Sequence, residues 1–375
     1  MKIYHFVENI SLERGGVRTV VANLDNYLNE SHPNCSVILT NAKEESDPYL
    51  EFTSTKFKAW AYSKELKEYA ENIPINNAVF HLQGVFMHCH YLASKVAQKR
   101  NIPYIVTCHG MIEPVYLKEK RLKKKIYMDL FLNKILSKST ILHAITPHEK
   151  NNLFKLSGHK NIIEIPNFIH HSSLPKDLTF QPEEDYLLFL SRLHPQKGLD
   201  LLLNAMTKIN DKKIKLKIVG TQNEYSNELQ NKLKNSNIEN RIEFVGSVYG
   251  DEKYKIYANA KAFVVPSYSE AIGMVNLEAA ACKTPVITTF NTGINPDWNS
   301  NGGLMINPKI EELIEAINQA TSWSAQERED RGNRLSNFVV NNYSWEKKGT
   351  YGMNFMVLYN NKKGAKIAPF VICYS

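Results

Sequence analysis

The stretch AFVVPSYSEAIGMVNLEAAACKTPVITT (262–289) holds a whole structural unit of this chain. AFVVP is a short apolar run of β-branched and aromatic residues, the composition of a buried strand. Serine, tyrosine and glycine loosen the chain after it, an alanine-rich helix starts near Met274, and PVITT (285–289) reads as a second strand. Strand, helix and strand in that order make a βαβ unit with the two strands parallel. Two carboxylates interrupt it, Glu270 in the loop and Glu278 in the helix. A carboxylate beside a core is costly unless it is paired.

The same rhythm runs outward in both directions. IYHFV (3–7), CSVILT (35–40), AVFHL (78–82) and PYIVTCHG (103–110) read as strands. GGVRTVVANLDNYLNE (15–30), KAWAYSKELKEYAEN (58–72) and VFMHCHYLASKVAQKR (85–100) read as helices between them. Helical character continues through 117–137, and ILHAITP (141–147) and IIEIPN (162–167) are further short strands. HSSLPKDLTFQPEED (171–185) is polar, proline-containing and aperiodic, as a linker would be, and His170-His171 reads as exposed linker. The alternation then restarts with YLLFLSR (186–192), LDLLLNAMTKI (199–209), IKLKIVG (214–220), NEYSNELQNKLKNSN (223–237), RIEFVG (241–246) and the opening unit. The expected organisation is α/β, with one such domain over 1–170, a linker over 171–185 and a second over 186–342. Helical patterning resumes at 343–359, in a helix and tail over 343–375 whose Trp and Tyr residues suggest packing. Parallel sheets of this kind bind ligands beyond the carboxyl ends of their strands, so the cleft between the halves is the expected site.

The 375 residues are 43% apolar and 22% charged, ordinary for a globular chain of this length. A formal charge of +8 favours anionic partners. The five cysteines are scattered, which points neither to a disulfide framework nor to a cysteine zinc site. A reducing, cytoplasmic setting is expected. MKIYHFVENI has no long apolar segment and does not resemble a signal peptide, and no apolar run approaches membrane-spanning length.

Five places join a strand end to a glycine or a reactive side chain. In ERGGVRT (13–19), Gly15 and Gly16 open a helix and bring backbone N–H groups within reach of an anion. His109 with Gly110 ends a strand and could donate to a sugar hydroxyl or to developing negative charge. His81, before Gln83 and Gly84, has a similar but weaker position. In SRLHPQKGLD (191–200), Arg192 and Lys197 precede a helix, a placement that suits a diphosphate and its charge as it departs. Gly246 and Ser247 follow another strand, where backbone groups could meet a nucleobase. In the opening stretch, Glu278 can accept two hydroxyl hydrogens, as a ribose diol offers. Glu270 could do the same for a sugar, and backbone around Gly273 and Met274 could meet phosphate or sugar oxygens. A glycosidase acid/base pair fits the two glutamates less well once the cations are counted. GxGxxG and Walker A glycine patterns, DxD and HExxH are all absent, which argues against nicotinamide chemistry, P-loop hydrolysis and a required metal.

PSYSEAIGMVNLEAAACKTPVITT resembles the E-x7-E region of glycosyltransferase family 4, retaining enzymes of the GT-B fold with two Rossmann-like domains facing across a cleft. SRLHPQKGLD resembles the family's diphosphate motif, RGGV its glycine loop and TCHG its His-Gly, in matching order from Gly15 to Trp345. The resemblance implies that Arg192 and Lys197 hold the diphosphate of a UDP- or GDP-linked sugar and that Glu278 binds the ribose. It implies that Glu270 contacts the transferred sugar, beside backbone of Ile272, Gly273, Met274 and Val275. His109 would lie by the sugar at the reaction centre, and Gly15 and Gly16 would line the phosphate and acceptor side. No cofactor beyond the nucleotide-sugar donor substrate is implied, and no metal. The resemblance also implies that the helix and tail over 343–375 return to the first domain. Ile272, Val275 and Lys283 depart from the family's usual residues, and NTGINPDW (291–298) stands where a glycine-rich phosphate loop is usual, with Thr292 and Gly293 as its candidates.

HGMIEPVYLKEKRLKKKIYMDLF (109–131) resembles bacterial members that build surface polysaccharide such as lipopolysaccharide, capsule or exopolysaccharide. That implies a glycan or lipid-linked acceptor, and peripheral contact of 118–127 with anionic lipid on the inner face of the cytoplasmic membrane. The rival readings are a GT-B sugar-nucleotide epimerase and a non-enzymatic nucleotide or nucleic-acid binding module. The lysine run lacks interleaved stacking aromatics, so nucleic acid is not expected as a partner.

Overall fold

A computed structural model describes residues 1–349, apart from 13–14, 55–59, 119–120, 176–177, 179 and 182–183. The part of the expected returning segment from 350 to 375 lies outside the described residues, as do Glu13 and Arg14 of the first glycine motif. The described residues divide into two compact units, Met1–Phe168 with 345–349, and Ile169–Ser344.

In the first unit seven strands run in the order β3-β2-β1-β4-β5-β6-β7. They are β1 (Lys2–Val7), β2 (Ser36–Thr40), β3 (Leu50–Glu51), β4 (Ala78–Gln83), β5 (Tyr104–Thr107), β6 (Ile141–Ala144) and β7 (Ile162–Glu164). Every neighbouring pair is parallel. Side chains alternate between faces along a strand, and the two faces differ sharply. Tyr4, Phe6, Phe80, Leu82, Tyr104, Val106, Leu142 and Ala144 share one apolar cluster with helix His88–Arg100. The opposite face carries His5 opposite His81, and Gln83 and His143 on either side of Thr107. Trp345 packs into this unit, stacked on Tyr27 with ring centroids 5.0 Å apart and edge-on to Phe168.

The second unit repeats the plan with six strands in the order β10-β9-β8-β11-β12-β13. These are β8 (Tyr186–Leu190), β9 (Lys215–Val219), β10 (Ile242–Gly246), β11 (Ala262–Val264), β12 (Val286–Thr289) and β13 (Leu304–Ile306), all parallel. The opening stretch is β11, helix Met274–Ala281 and β12, as its composition requires. Its alanines let that helix lie against helix Ala325–Tyr343, whose Gly332 sits so close to the carbonyl of Lys283 that a Cβ would meet it at 2.0 Å.

Several elements differ from the sequence reading. The helix expected over 58–72 covers Lys64–Asn72, because Ser63 caps it by accepting from the Leu66 N–H. Helical character expected through 117–137 is present at Pro114–Lys118 and, with 119–120 outside the described residues, runs on from Arg121–Tyr127 through a wider π turn at Met128–Leu132 into Asn133–Ser137, the π turn being what the sequence reading lacked. Helix Pro147–Ser157 starts inside the expected strand 141–147, since Thr146 and Pro147 form a strong helix start. His170, read as exposed, is buried. Within the expected linker, Gln181 N–H donates to Asn259 Oδ1 at 3.0 Å and Phe180 lies 4.0 Å from the Arg328 guanidinium, so these two residues pack within the second unit.

Arg328 is fully buried and donates to the carbonyls of Ala258, Ala260 and Lys283 at 2.7–3.2 Å. A planar guanidinium can serve these diverging acceptors together, whereas an ammonium cannot. Arg328→Lys is therefore expected to lower unfolding free energy by about 2–4 kcal/mol, measured by denaturant titration, with the loss confined to the second unit.

Candidate functional site

Strand order in the second unit reverses between β8 and β11, and the crevice beyond the carboxyl ends at such a reversal is where open α/β sheets take ligands. The loops that follow these two strands carry the candidate residues. Beyond β8 the chain places exposed Arg192, then a single helical turn at Pro195–Lys197. Gly198 follows with φ +72°, and a Cβ there would lie 2.2 Å from the carbonyl oxygen of Pro266. That close approach seats the β8 loop on the β11 loop, sealed by Tyr268 N–H donating to Gln196 O at 2.9 Å. Lys197 is turned inward, only 7% exposed, and its ammonium pairs with Glu270 Oε1. Ser267 Oγ donates to the other oxygen of Glu270 at 3.2 Å.

Gly273 has an ordinary backbone conformation, but a Cβ on it would lie 2.6 Å from Asn276 Nδ2 and 3.3 Å from Glu270 Oε2. The glycine therefore leaves room for these two side chains, a reason that its position in the sequence did not reveal. Asn276 is fully buried, donates to Thr288 Oγ1 at 3.1 Å and leaves its Oδ1 without a partner. Ile272 and Met274 are buried, and Val275 is half-buried. Gly293 N–H donates to Ala271 O and Glu270 N–H to Asn291 O, so the β12 loop is zipped onto the β11 loop. The Gly293 N–H is thus committed to the protein and does not face a phosphate in this arrangement.

Glu278, in the second turn of its helix, is 7% exposed and separately neutralised. Lys253 Nζ lies 2.7 Å and Tyr257 Oη 3.1 Å from the same atom, Oε2. Burial works against the charge on Lys253, but the Glu278 carboxylate outweighs it and raises the lysine pKa. Lys253 and Tyr257 had escaped the sequence reading; their only trace is an i, i+4 spacing on helix Gly250–Ala258. Gly246 ends β10 at the edge of the sheet and Ser247 follows it, with Ser247 Oγ and Thr221 Oγ1 2.9 Å apart.

The first unit has its own cluster beyond β1, β4 and β5. Gly15 has φ +57° and caps helix Gly16–Ser31, while a Cβ on Gly16 would meet nothing within 4 Å among the described residues. Arg18 holds the adjoining loop through the Ile10 carbonyl and, at 2.7 Å, Asp47. His109 is half-buried, in a left-handed conformation at φ +52°, and its Nε2 lies 2.7 Å from Gln83 Oε1. That nitrogen is spent on Gln83, so the donor role expected of His109 is not available from it. Gln83 connects His109 to His81 and His5, at 3.1 Å each. His81 and Gln83 stand two positions apart in the sequence, which does not show that Gln83 joins His81 to His109. Among the described residues no three His, Cys, Asp or Glu side chains converge as metal ligands would.

Fold and site together define a two-domain glycosyltransferase of the GT-B architecture. Residues 14–173 match the family described as Glycosyltransferase Family 4, and residues 172–335 match Glycosyl transferases group 1. The chain belongs to this glycosyltransferase family and is a transferase enzyme. An uncharacterized glycosyltransferase of Methanocaldococcus jannaschii is 25% identical over 354 residues, 91% of this chain and 90% of that one. Two solved structures share the fold at 14% identity. Anabaena HepE in complex with UDP-glucose superposes with a TM-score of 0.76, covering 95% of this chain and 99% of that one. WaaG, a glycosyltransferase involved in lipopolysaccharide biosynthesis, superposes with a TM-score of 0.71, covering 96% and 100%.

The histidines of the first unit make stability depend on pH. Burial, the main cause in each case, pushes His5, His90 and His109 down to about 3 and His143 to about 4, and lowers His81 as well. In the unfolded chain they would titrate near the ordinary value of about 6.5. The unfolded state therefore takes up protons first as pH falls. Stability is complete above about pH 6.5 and is lost below it, by up to about 1.4 kcal/mol per histidine per pH unit until the folded values are reached. The thermal midpoint should fall between pH 7 and pH 5, and less steeply in His5→Gln. A pH-independent midpoint over that range would show that the folded chain takes up protons as the unfolded chain does, and that burial does not hold these histidines below their ordinary range.

Proposed function

We propose that this enzyme moves a hexose or hexose derivative, with retention of configuration, from a UDP- or GDP-linked donor to a sugar hydroxyl of a glycan or lipid-linked glycan. The observation that carries this reading is the pairing of Lys197 with Glu270 at the strand-order reversal, with Arg192 exposed on the same loop. One cation and one acid already in contact can exchange that contact for a phosphate and a sugar hydroxyl when a donor enters. Glu278, fixed through Oε2 by Lys253 and Tyr257, keeps Oε1 for the ribose diol. Gly246 and Ser247 are assigned to the base, backbone of Ile272, Gly273, Met274 and Val275 to the phosphates and sugar, and His109 to the sugar.

In the proposed step the bond from the anomeric carbon to the diphosphate oxygen breaks as the acceptor oxygen bonds to that carbon from the same face. The acceptor proton passes to an oxygen of the departing diphosphate. Arg192 and Lys197 stabilise the charge that builds on the leaving group. Gly15 and Gly16 belong to the phosphate and acceptor side. Because the space beside Gly16 is open, Gly16→Ala should fold normally and still impair turnover, where a glycine kept only for packing would show no such split.

Surface-polysaccharide synthesis is the setting proposed, with the membrane supplying the acceptor. Leu122, Ile126 and Leu130 are 72%, 51% and 64% exposed at four-residue spacing, between exposed Arg121, Lys123 and Lys125. Tyr127 and Phe131 of the same segment meet each other at a tilt, with Tyr127 tilted against Phe86 and Phe131 edge-on to Tyr91. The segment is thus docked by one side and offers an apolar, basic side to anionic lipid. No helix among the described residues is long and apolar enough to cross a membrane.

Two measurements test these assignments. Arg192→Ala should reduce kcat with a matched nucleotide sugar and acceptor by on the order of 100-fold, and unchanged turnover would remove Arg192 from the leaving-group role. The wild-type chain should sediment with phosphatidylglycerol vesicles but not with phosphatidylcholine. Replacing Leu122, Ile126 and Leu130 with glutamine should abolish sedimentation, and equal binding to both lipids would contradict an electrostatic dock.

A further inference from the structure

The polar row across the first unit's sheet has a direction. His143 Nε2 lies 2.8 Å from the carbonyl of Ile165. A carbonyl only accepts, so this nitrogen carries the proton, and in a neutral ring Nδ1 is then an acceptor. Thr107 Oγ1, 2.8 Å from that Nδ1, must donate to it. The hydroxyl oxygen then accepts from His81 Nε2, also at 2.8 Å. His81 Nδ1 is left as an acceptor, filled by Gln83 Nε2 at 3.1 Å. The second amide hydrogen of Gln83 goes to His5 Nδ1, also at 3.1 Å, which fixes the amide orientation. Gln83 Oε1 therefore faces His109 and accepts from its Nε2. Each partner has one role left when its turn comes, and the roles are consistent from one end to the other.

His109 is held by its backbone as well. It and Gly110 both have positive φ, at +52° and +74°, and the Gly110 N–H donates to Glu149 Oε1 at 2.7 Å. Glu149 is fully buried and its other oxygen accepts from the Ile145 N–H at 2.8 Å. His109 Nδ1 makes no hydrogen bond among the described residues.

We propose that His143, Thr107, His81 and Gln83 are positioning residues that order the protons of this row and hold His109 as its neutral Nε2–H tautomer. Its Nδ1 is then left to accept a hydrogen bond from a hydroxyl of the bound sugar. The second clause rests on the reading that His109 touches the sugar; the proton order does not. His109 is on this account neither a proton donor to the leaving group nor a counter-charge for it. It selects for a sugar that bears a hydroxyl where the ring faces it. A deoxy sugar gives up the bond, and a uronic carboxylate sets lone pair against lone pair, so both should be poorer donors by on the order of 10-fold or more in kcat/KM. The titratable groups around the ring are His81 and His143 on the sheet, His5 through Gln83, His90 from the helix after β4, and Glu149 behind Gly110.

The test is nitrogen NMR of the full chain with 15N-labelled histidine imidazoles, the His109 signals being those lost in His109→Ala. At pH 7 the proton is expected on Nε2, with the ring still neutral at pH 5. A proton on Nδ1, or an imidazolium at pH 7, overturns the proposal. Gln83→Glu replaces an amide with a carboxylate that stabilises the imidazolium. His109 should then titrate between pH 5 and 7, and kcat/KM should gain a limb there that the wild type lacks. A Gln83→Glu chain that folds and keeps the wild-type pH profile counts against the relay. If that variant does not fold, the wild-type tautomer decides alone, with Thr107→Val expected to leave a mixture of tautomers at His109. If the tautomer is as stated but His109→Ala turns over at the wild-type rate, the sugar contact fails and the relay stands.

Discussion

Gly198 brings the loop after β8 against the carbonyl of Pro266 more closely than any side chain would permit, and the rest of the second unit's site follows from that approach. It turns Lys197 away from solvent and into contact with Glu270. It also sets the two loops on either side of the strand-order reversal, where the sheet leaves a crevice. The β12 loop is zipped onto the same structure through Ala271 and Asn291, so three strand ends are locked together.

The two acids of the second unit's site are each paired. Glu270 has Lys197, and Glu278 has Lys253 with the hydroxyl of Tyr257. Neither acid is an uncompensated charge beside the core, which would be strongly destabilising. In the proposed function this pairing has a second use. A diphosphate and a sugar would replace one ion pair with contacts of the same sign, so that donor binding would not strand a buried charge. The first unit takes the opposite course and builds its polar row from neutral groups, where burial keeps the histidines unprotonated.

What could be read from the residues, and what could not, divides along physical lines. Parallel strands buried on both faces read as short apolar runs, so YLLFL, AFVV and PVITT were visible as strands, and the glycines and charges at their ends marked the loops. The π turn at Met128–Leu132 was not visible, because the rings that Tyr127 and Phe131 meet there, Phe86 and Tyr91, come from elsewhere in the chain. Lys253 lies in a different helix from Glu278, so no local pattern joins them. His5, His81 and His143 are up to 138 positions apart and meet only because β1, β4, β5 and β6 pair in one register. Gly273 was read for a ligand and is required first by Asn276. In each case the missing information is register or long-range contact, which residue type does not encode.

The central claim is that the loops after β8 and β11 grip a nucleoside diphosphate. Calorimetric titration of UDP and GDP, each beside its unphosphorylated nucleoside, into wild type and Lys197→Met tests it most directly. The account predicts that one of the two diphosphates binds the wild type and is weakened about 10- to 100-fold in the variant, while the nucleoside is affected little. Equal diphosphate affinity in a folded Lys197→Met chain, or no diphosphate binding to the wild type, would contradict it.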